Sequence, residues 1–281
     1  MVKKTKECFL LVLFLLAVNF SCAQSQEDIQ TGASQIPVVV SKLNGKRIAL
    51  MVNQTSVVGR THLVDTLKSL GIQIKKIFSV EHGFRGDADA GEIVGNAVDP
   101  KSGIPIISLY GKSKKPSVQD LKDIDLVVFD IQDIGVRFFT YISSLHYLME
   151  ACAENGKKLI VLDRPNPNGL LIDGPVLQPK LKSFVGMHSI PIAHGMTIGE
   201  YAQMINGEGF LEAQVSCDLE IIQLKNWKHS DPYSLAIRPS PNLPNDHAIA
   251  LYPSICLFEG TVLSVGPLID RSSFENLTIQ N

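Results

Sequence analysis

Three short apolar runs in this 281-residue chain each stop at a loop rich in carboxylates, arginines and amides. Ile74–Val80 leads into Glu81-His82-Gly83-Phe84-Arg85-Gly86-Asp87. Leu126–Phe129 leads into Asp130-Ile131-Gln132-Asp133-Ile134-Gly135-Val136-Arg137, and Leu159–Leu162 into Asp163-Arg164-Pro165-Asn166-Pro167-Asn168-Gly169. Unbroken runs of this length fit strands buried on both faces of a parallel sheet. In an open α/β sheet the ligand crevice lies outside the carboxyl ends of the strands. Three polar strand ends therefore point to a polar, hydrogen-bond-rich substrate.

The flanking patterns extend this frame. Arg47–Val52 reads as a first strand ending at Asn53-Gln54, and a helix near His62–Leu70 closes at Gly71. Ile104–Leu109 is a further strand candidate and Val118–Leu121 a short helix. Over Thr140–Asn155, Ile142, Leu145, Leu148, Met149 and Cys152 recur on one helical face. Thr197-Ile198-Gly199-Glu200 fits a capping box that opens a helix through Ile205. Leu219–Leu224 and Ala248–Leu251 are the last strand candidates. The rhythm predicts an α/β fold, a Rossmann-like and mostly parallel sheet with helices on both faces, followed by the start of a truncated second domain. The expected boundaries are a polar linker over 24–44, a Rossmann-like catalytic domain over 45–245, and the incomplete start of a C-terminal domain over 246–281.

The first residues read as a targeting segment. Lys3, Lys4 and Lys6 precede the apolar Phe9–Val18, and Ser21-Cys22-Ala23 offers small residues for cleavage. Cleavage after Ala23 makes 1–23 a signal peptide and yields an exported protein, periplasmic or in the cell envelope. A lipoprotein signal over 1–21 would instead leave a lipid anchor on Cys22. A net charge of −2 gives no footprint for nucleic acid. Cys152, Cys217 and Cys256 lack metal-like spacing and read as small buried hydrophobes.

Several residues carry chemistry, each with a plainer alternative. Glu81 lies between Val80 and Phe84, whose apolar character would favour the protonated carboxyl of a general acid; the alternative is a loop cap paired with Arg85. Asp130 and Gln132 share one side of an extended segment, with Asp133 beside them; they either serve the reaction or bind the adjoining turn. Arg85, Arg137 and Arg164 could fork a substrate carboxylate or pair internally. Asn166 and Asn168 offer amides from a proline-stiffened loop, as does Asn242 in Ser240-Pro241-Asn242-Leu243-Pro244-Asn245. His194 stands just before a helix N-terminus. His82, Asp87, Asp89 and Glu92 match neither a zinc nor a calcium pattern, so no metal and no cofactor is expected. No serine-hydrolase elbow, P-loop or dinucleotide fingerprint is present.

Taken in order, these loops resemble one family. Ser79-Val80-Glu81-His82-Gly83-Phe84-Arg85-Gly86, the Phe129–Phe138 loop, Asp163–Gly169, His194–Glu200 and Pro239–Pro244 are similar to motifs of the exo-β-N-acetylmuramidases of the NamZ or YbbC type, formerly a domain of unknown function. The resemblance runs from about Gly45 to Gly266. It implies a Rossmann-like domain joined to a second domain, with the active site between them. It also implies removal of terminal N-acetylmuramic acid from the non-reducing ends of peptidoglycan fragments. The family's proposed catalytic glutamate falls on Glu81. Asp130, Gln132, Asp133, Arg137, Arg164, Asn166, His194 and Asn242 align with its other polar positions, and His82, Arg85 and Asn168 lie in the same loops. The lactyl carboxylate of that sugar suits an arginine, and its acetamido group and hydroxyls suit Asn, Gln and Asp. Near Gly266 the family continues with a Gly-Arg-Gly-Thr-like sequence, whereas here Pro267-Leu268-Ile269-Asp270-Arg271 follows. The competing expectations are a glycan-binding remnant without turnover and a metal-dependent hydrolase on His82, Asp87 and Asp89.

Overall fold

The computed structural model describes residues 28–81, 83–85, 95–111 and 113–261. The leader, Cys22, His82, Asp87, Asp89, Glu92 and the stretch from Gly266 onward lie outside the described residues.

The stretch read as a linker carries a helix, α1 (Ile36–Leu43), which buries Val39 and Leu43. Strand β1 (Arg47–Val52) follows, then α2 (Leu63–Ser69), capped by the His62 ring accepting from the Val64 amide. Next come β2 (Gln73–Ser79), β3 (Ala97–Val98) and β4 (Pro105–Ser108). The chain continues through α3 (Val118–Leu121), β5 (Leu126–Asp130), α4 (Tyr141–Glu154) and β6 (Lys158–Leu162). It closes with α5 (Ile198–Gly207), β7 (Leu219–Ile222) and α6 (Asp246–Ile255). The capping box at Thr197 and Glu200 forms as the sequence predicts. Ala248–Leu251 is not a strand but part of α6. Asn245 caps the Ala248 amide there, and Ala248, Ile249 and Tyr252 recur at helical spacing toward the core.

The seven strands form one sheet in the order β7-β6-β5-β1-β2-β4-β3, all parallel except the β3–β4 pair. Alternation sorts the side chains to two faces. Ile48, Leu50 and Val52 of β1 join Val128, Ile160 and the buried faces of α1 and α2 in one cluster. Ala49 and Met51 join Phe129, Val161 and the buried residues of α4, α5 and α6 in the other. Every residue of β5 is buried, which explains its unbroken apolar sequence. Cys152, Cys217 and Cys256 are free and buried, and burial pushes the thiols of Cys217 and Cys256 up to about 12 and about 11.

The segment before α1 threads against the carboxyl edge of the sheet. The Gly32 amide donates to the Asp163 carbonyl at 2.7 Å. A Cβ on Gly32 would lie 2.5 Å from both Asp163 N and Ile222 O, so only glycine fits. No helix among the described residues is long and apolar enough to cross a membrane.

Candidate active site

The chain leaves β1 toward β2 and β4 on one side and returns through β5, β6 and β7 on the other. The switch point thus lies between β1 and β5, where ligands of such sheets gather. The two strand ends are latched together. Asn53 Oδ1 accepts from the Thr55 amide at 2.9 Å, Thr55 Oγ1 accepts from the Gln132 amide at 3.0 Å, and the Ser56 hydroxyl donates to the Asp130 carbonyl. A pocket of about 230 Å³ opens beside this latch, lined in part by Thr55, Gln132, Arg164 and Tyr233.

Most of the motif side chains hold these loops to one another. Asp130 is fully buried and takes Arg164 in a two-pronged pair, with Nε at 2.6 Å and Nη2 at 2.9 Å. Gln132 Nε2 donates to the carbonyls of Asp133 and Pro165, both at 2.7 Å. Asn166 donates to the Met196 carbonyl at 3.0 Å, and Asn168 to those of Ile134 and Ile249 at 2.9 and 3.2 Å. Asp163 binds the amide of Gly199 at 2.8 Å and the hydroxyl of Thr197 at 3.1 Å, and burial pushes its carboxyl up to about 6. The three arginines do not converge as a fork. Arg85 pairs with Asp99 and Asp65, Arg164 with Asp130, and Arg137 donates from Nη1 to the carbonyls of Pro175 and Ile190. Asn242 is exposed, and its amide nitrogen takes part in a turn with Ser240.

Arg137 has a distinct setting. It is buried, no carboxylate among the described residues lies within ion-pair distance, and its Nε has no partner. Burial without a counter-ion lowers its guanidinium below the ordinary value, against the pull of Tyr201 and Cys256. Nearby, the Met196 amide donates to His194 Nδ1 at 3.3 Å, which leaves the ring proton on Nε2, 3.5 Å from Asp133 Oδ2. Asp133 Oδ2 accepts from the Gly135 amide at 2.7 Å, while Asp133 Oδ1 and His194 Nε2 complete no hydrogen bond. Behind them runs a chain of buried polar groups. The Tyr201 hydroxyl lies 2.8 Å from His188 Nδ1, His188 Nε2 lies 3.0 Å from His146 Nδ1, and His146 Nε2 lies 3.1 Å from Glu150. His188 does not stand out in the sequence, because its partners Tyr201 and His146 are 13 and 42 residues away.

Glu81, at the end of β2, is half-buried and accepts from the Tyr110 hydroxyl at 3.0 Å. Phe84 turns away to stack edge-on against His62 at 4.7 Å and lies under Arg85. The surroundings of Glu81 are instead phenolic. Its charge bears on Tyr110, Tyr141 and Tyr252, whose hydroxyls are pushed up chiefly by burial. The Asn53 side chain faces the Tyr141 hydroxyl and tempers its rise, and among the described residues Asn53 Nδ2 and Tyr141 Oη complete no hydrogen bond with any other group. Both are buried, and orphaned buried polar atoms are costly unless a ligand satisfies them. Sequence reasoning missed Tyr110, Tyr141 and Tyr252, because phenols in apolar contexts look like core residues.

A half-buried carboxyl group bonded to a phenol at the carboxyl edge of a mostly parallel sheet defines the class, a Rossmann-like α/β protein with a polar strand-end site. The comparisons narrow the class. Residues 48–247 match the family described as exo-beta-N-acetylmuramidase NamZ, N-terminal, and the chain belongs to that family. It is 45% identical over 248 residues to the peptidoglycan beta-N-acetylmuramidase NamZ of Bacillus subtilis (strain 168), covering 85% of this chain and 58% of that protein. Two crystal structures of DUF1343 family proteins from Bacteroides fragilis NCTC 9343 superpose on it. One has a TM-score of 0.77 at 49% identity over 85% of this chain and 64% of that one. The other has a TM-score of 0.75 at 40% identity over 82% and 60%. The chain thus spans about three-fifths of the relatives it matches.

Proposed function

We propose that this protein is an exo-acting glycoside hydrolase that releases terminal N-acetylmuramic acid from the non-reducing ends of peptidoglycan fragments, with Glu81 as the general acid. The observation that carries the reading is the Glu81 site itself. A half-buried carboxyl group is steadied on one oxygen by Tyr110, beside two buried groups, on Asn53 and Tyr141, that face each other and complete no other hydrogen bond among the described residues. Those groups suit the hydroxyls or acetamido group of a sugar. Family membership and the Bacillus relative support the same chemistry. Glycoside hydrolysis requires a proton donor at the departing oxygen, and the half-buried position of Glu81 supports that role.

Replacing Glu81 by Gln keeps the shape and removes the donor. Release of N-acetylmuramic acid from a chromogenic glycoside should fall by about 10²- to 10⁴-fold with binding retained. Turnover near wild type would refute the role, and binding without turnover in the wild type would favour a glycan-binding protein instead. Delivery to the periplasm or cell envelope belongs to the same proposal. Fractionation of cells making the wild type and Cys22→Ala would separate a lipid-anchored from a released protein.

A further inference from the structure

We propose that Glu259 is the second carboxyl group of the reaction, set opposite Glu81 across the tyrosine cluster and acting on the attacking water. The inference rests on the muramidase reading and deepens it by naming the partner of Glu81.

Glu259 lies in the short 3-10 turn Cys256–Gly260 that continues α6. The Tyr252 hydroxyl donates to its Oε1 at 2.8 Å. The Tyr252 ring stands edge-on to Phe139 at 6.3 Å, and Phe139 stands edge-on to Tyr141 at 4.8 Å. Three rings therefore pin the segment carrying Glu259 to the start of α4, where the Tyr141 hydroxyl lies. β1 and β2 pair with Met51 opposite Phe78, so Asn53 and Glu81 leave neighbouring strand ends, and Tyr141 lies against Asn53. The pull of Glu81 on Tyr141, Tyr252 and Glu259 agrees with both carboxyl groups bordering one space. Asn53 Nδ2 and Tyr141 Oη, each on a side chain more than nine-tenths buried, complete no other hydrogen bond among the described residues. The outer side of Glu259 is open to solvent, so water reaches it. Partial burial and the charge of Glu81 push its carboxyl above the ordinary value, with the Tyr252 bond opposing. Higher proton affinity suits a base working near neutral pH.

The step balances with water as the only co-reactant. Glu81 gives its proton to the glycosidic oxygen as the bond to the anomeric carbon breaks and its electron pair goes to that oxygen. A water oxygen forms the new bond to the anomeric carbon, and the Glu259 carboxylate takes the water proton. Exchange with solvent then restores both carboxyl groups.

The test compares Glu259→Gln, Glu259→Ala and Glu81→Gln in the full chain, with thermal melts to verify folding. Glu259→Gln should lose about 10²- to 10⁴-fold in kcat on a chromogenic N-acetylmuramic acid glycoside, with KM within about threefold of wild type. Azide should restore Glu259→Ala by forming the glycosyl azide. A Glu259→Gln enzyme keeping more than about a fifth of wild-type kcat, or losing only in KM, would overturn the role. A second measurement follows the Glu259 carboxyl by ¹³C NMR, assigned from its absence in Glu259→Gln. Its titration midpoint should fall in Glu81→Gln and rise in Tyr252→Phe. A midpoint indifferent to Glu81 would sink this assignment alone, whereas a wild type that releases no sugar would sink the muramidase reading and this role with it.

Discussion

Arg137 shows how one residue acquires meaning only in three dimensions. In the sequence it is one of three loop arginines of equal promise. In the fold, Arg85 and Arg164 are matched by aspartates, whereas Arg137 meets the carbonyls of Pro175 and Ile190 and the Phe138 ring. On the muramidase reading, this buried guanidinium without a carboxylate partner among the described residues would receive the lactyl carboxylate. Arg137→Met should therefore raise KM for an N-acetylmuramic acid glycoside by about 10- to 100-fold, as loss of a charge-assisted bond implies, and should barely affect a glycoside lacking the lactyl group. Equal effects on both substrates would argue against it. Asp130 makes the opposite point. Its carboxyl group, expected as a catalytic candidate, is enclosed and bound to Arg164. Asp130→Ala leaves a buried, uncompensated cation, and urea unfolding should show a loss of roughly 3–5 kcal/mol. The motif thus marked the loops at the strand ends, but residue type alone could not show that Asp130 and Arg164 hold those loops together.

At the scale of elements, the sequence spoke most clearly where a single periodicity ruled. The capping box of α5 formed on the expected residues, and α4 runs between Thr140 and Asn155 as its apolar face requires. α6 was misread because Ala248–Leu251 is a short apolar run that fits strand and helix equally well, and length arbitrates only when the cap is recognised. The packing of α4 against α5 carries a pH dependence that no local pattern betrays. Burial lowers the ring of His146, and lowers that of His188 to about 3, while Glu150, Lys182 and Tyr201 surround them. Between about pH 6.5 and that lowered value the unfolded chain binds more protons than the native one, so stability falls as the solution is acidified. Asp163, raised to about 6, works the other way between its ordinary value and pH 6, but its shift is smaller than that of His188. The melting temperature should fall from pH 7 to pH 5, and His188→Asn should flatten that slope. A steeper slope in the variant would contradict this account.

At the scale of the molecule, the parallel sheet was legible because β5 and β6 are buried on both faces and need no polar alternation. The cleft was less so, because its phenols come from the loop after β4, the start of α4 and the end of α6. Only the sheet order brings these together. Among the described residues no group of three His, Cys, Asp or Glu side chains is placed to hold a metal ion. His82, Asp87 and Asp89 lie outside the described residues, so a chelator tests that reading directly: unchanged sugar release would sink the metal-dependent hydrolase, and inhibition reversed by a divalent cation would support it.

The glycine at position 32 has a consequence for how the cleft works. Its missing side chain lets the polypeptide lie flush across the outlets of β6 and β7, like a bolt drawn over a door. Under that bolt the floor of the crevice stays put whatever sits above it. On the opposite bank the packed rings of Tyr252, Phe139 and Tyr141 make the fastening instead.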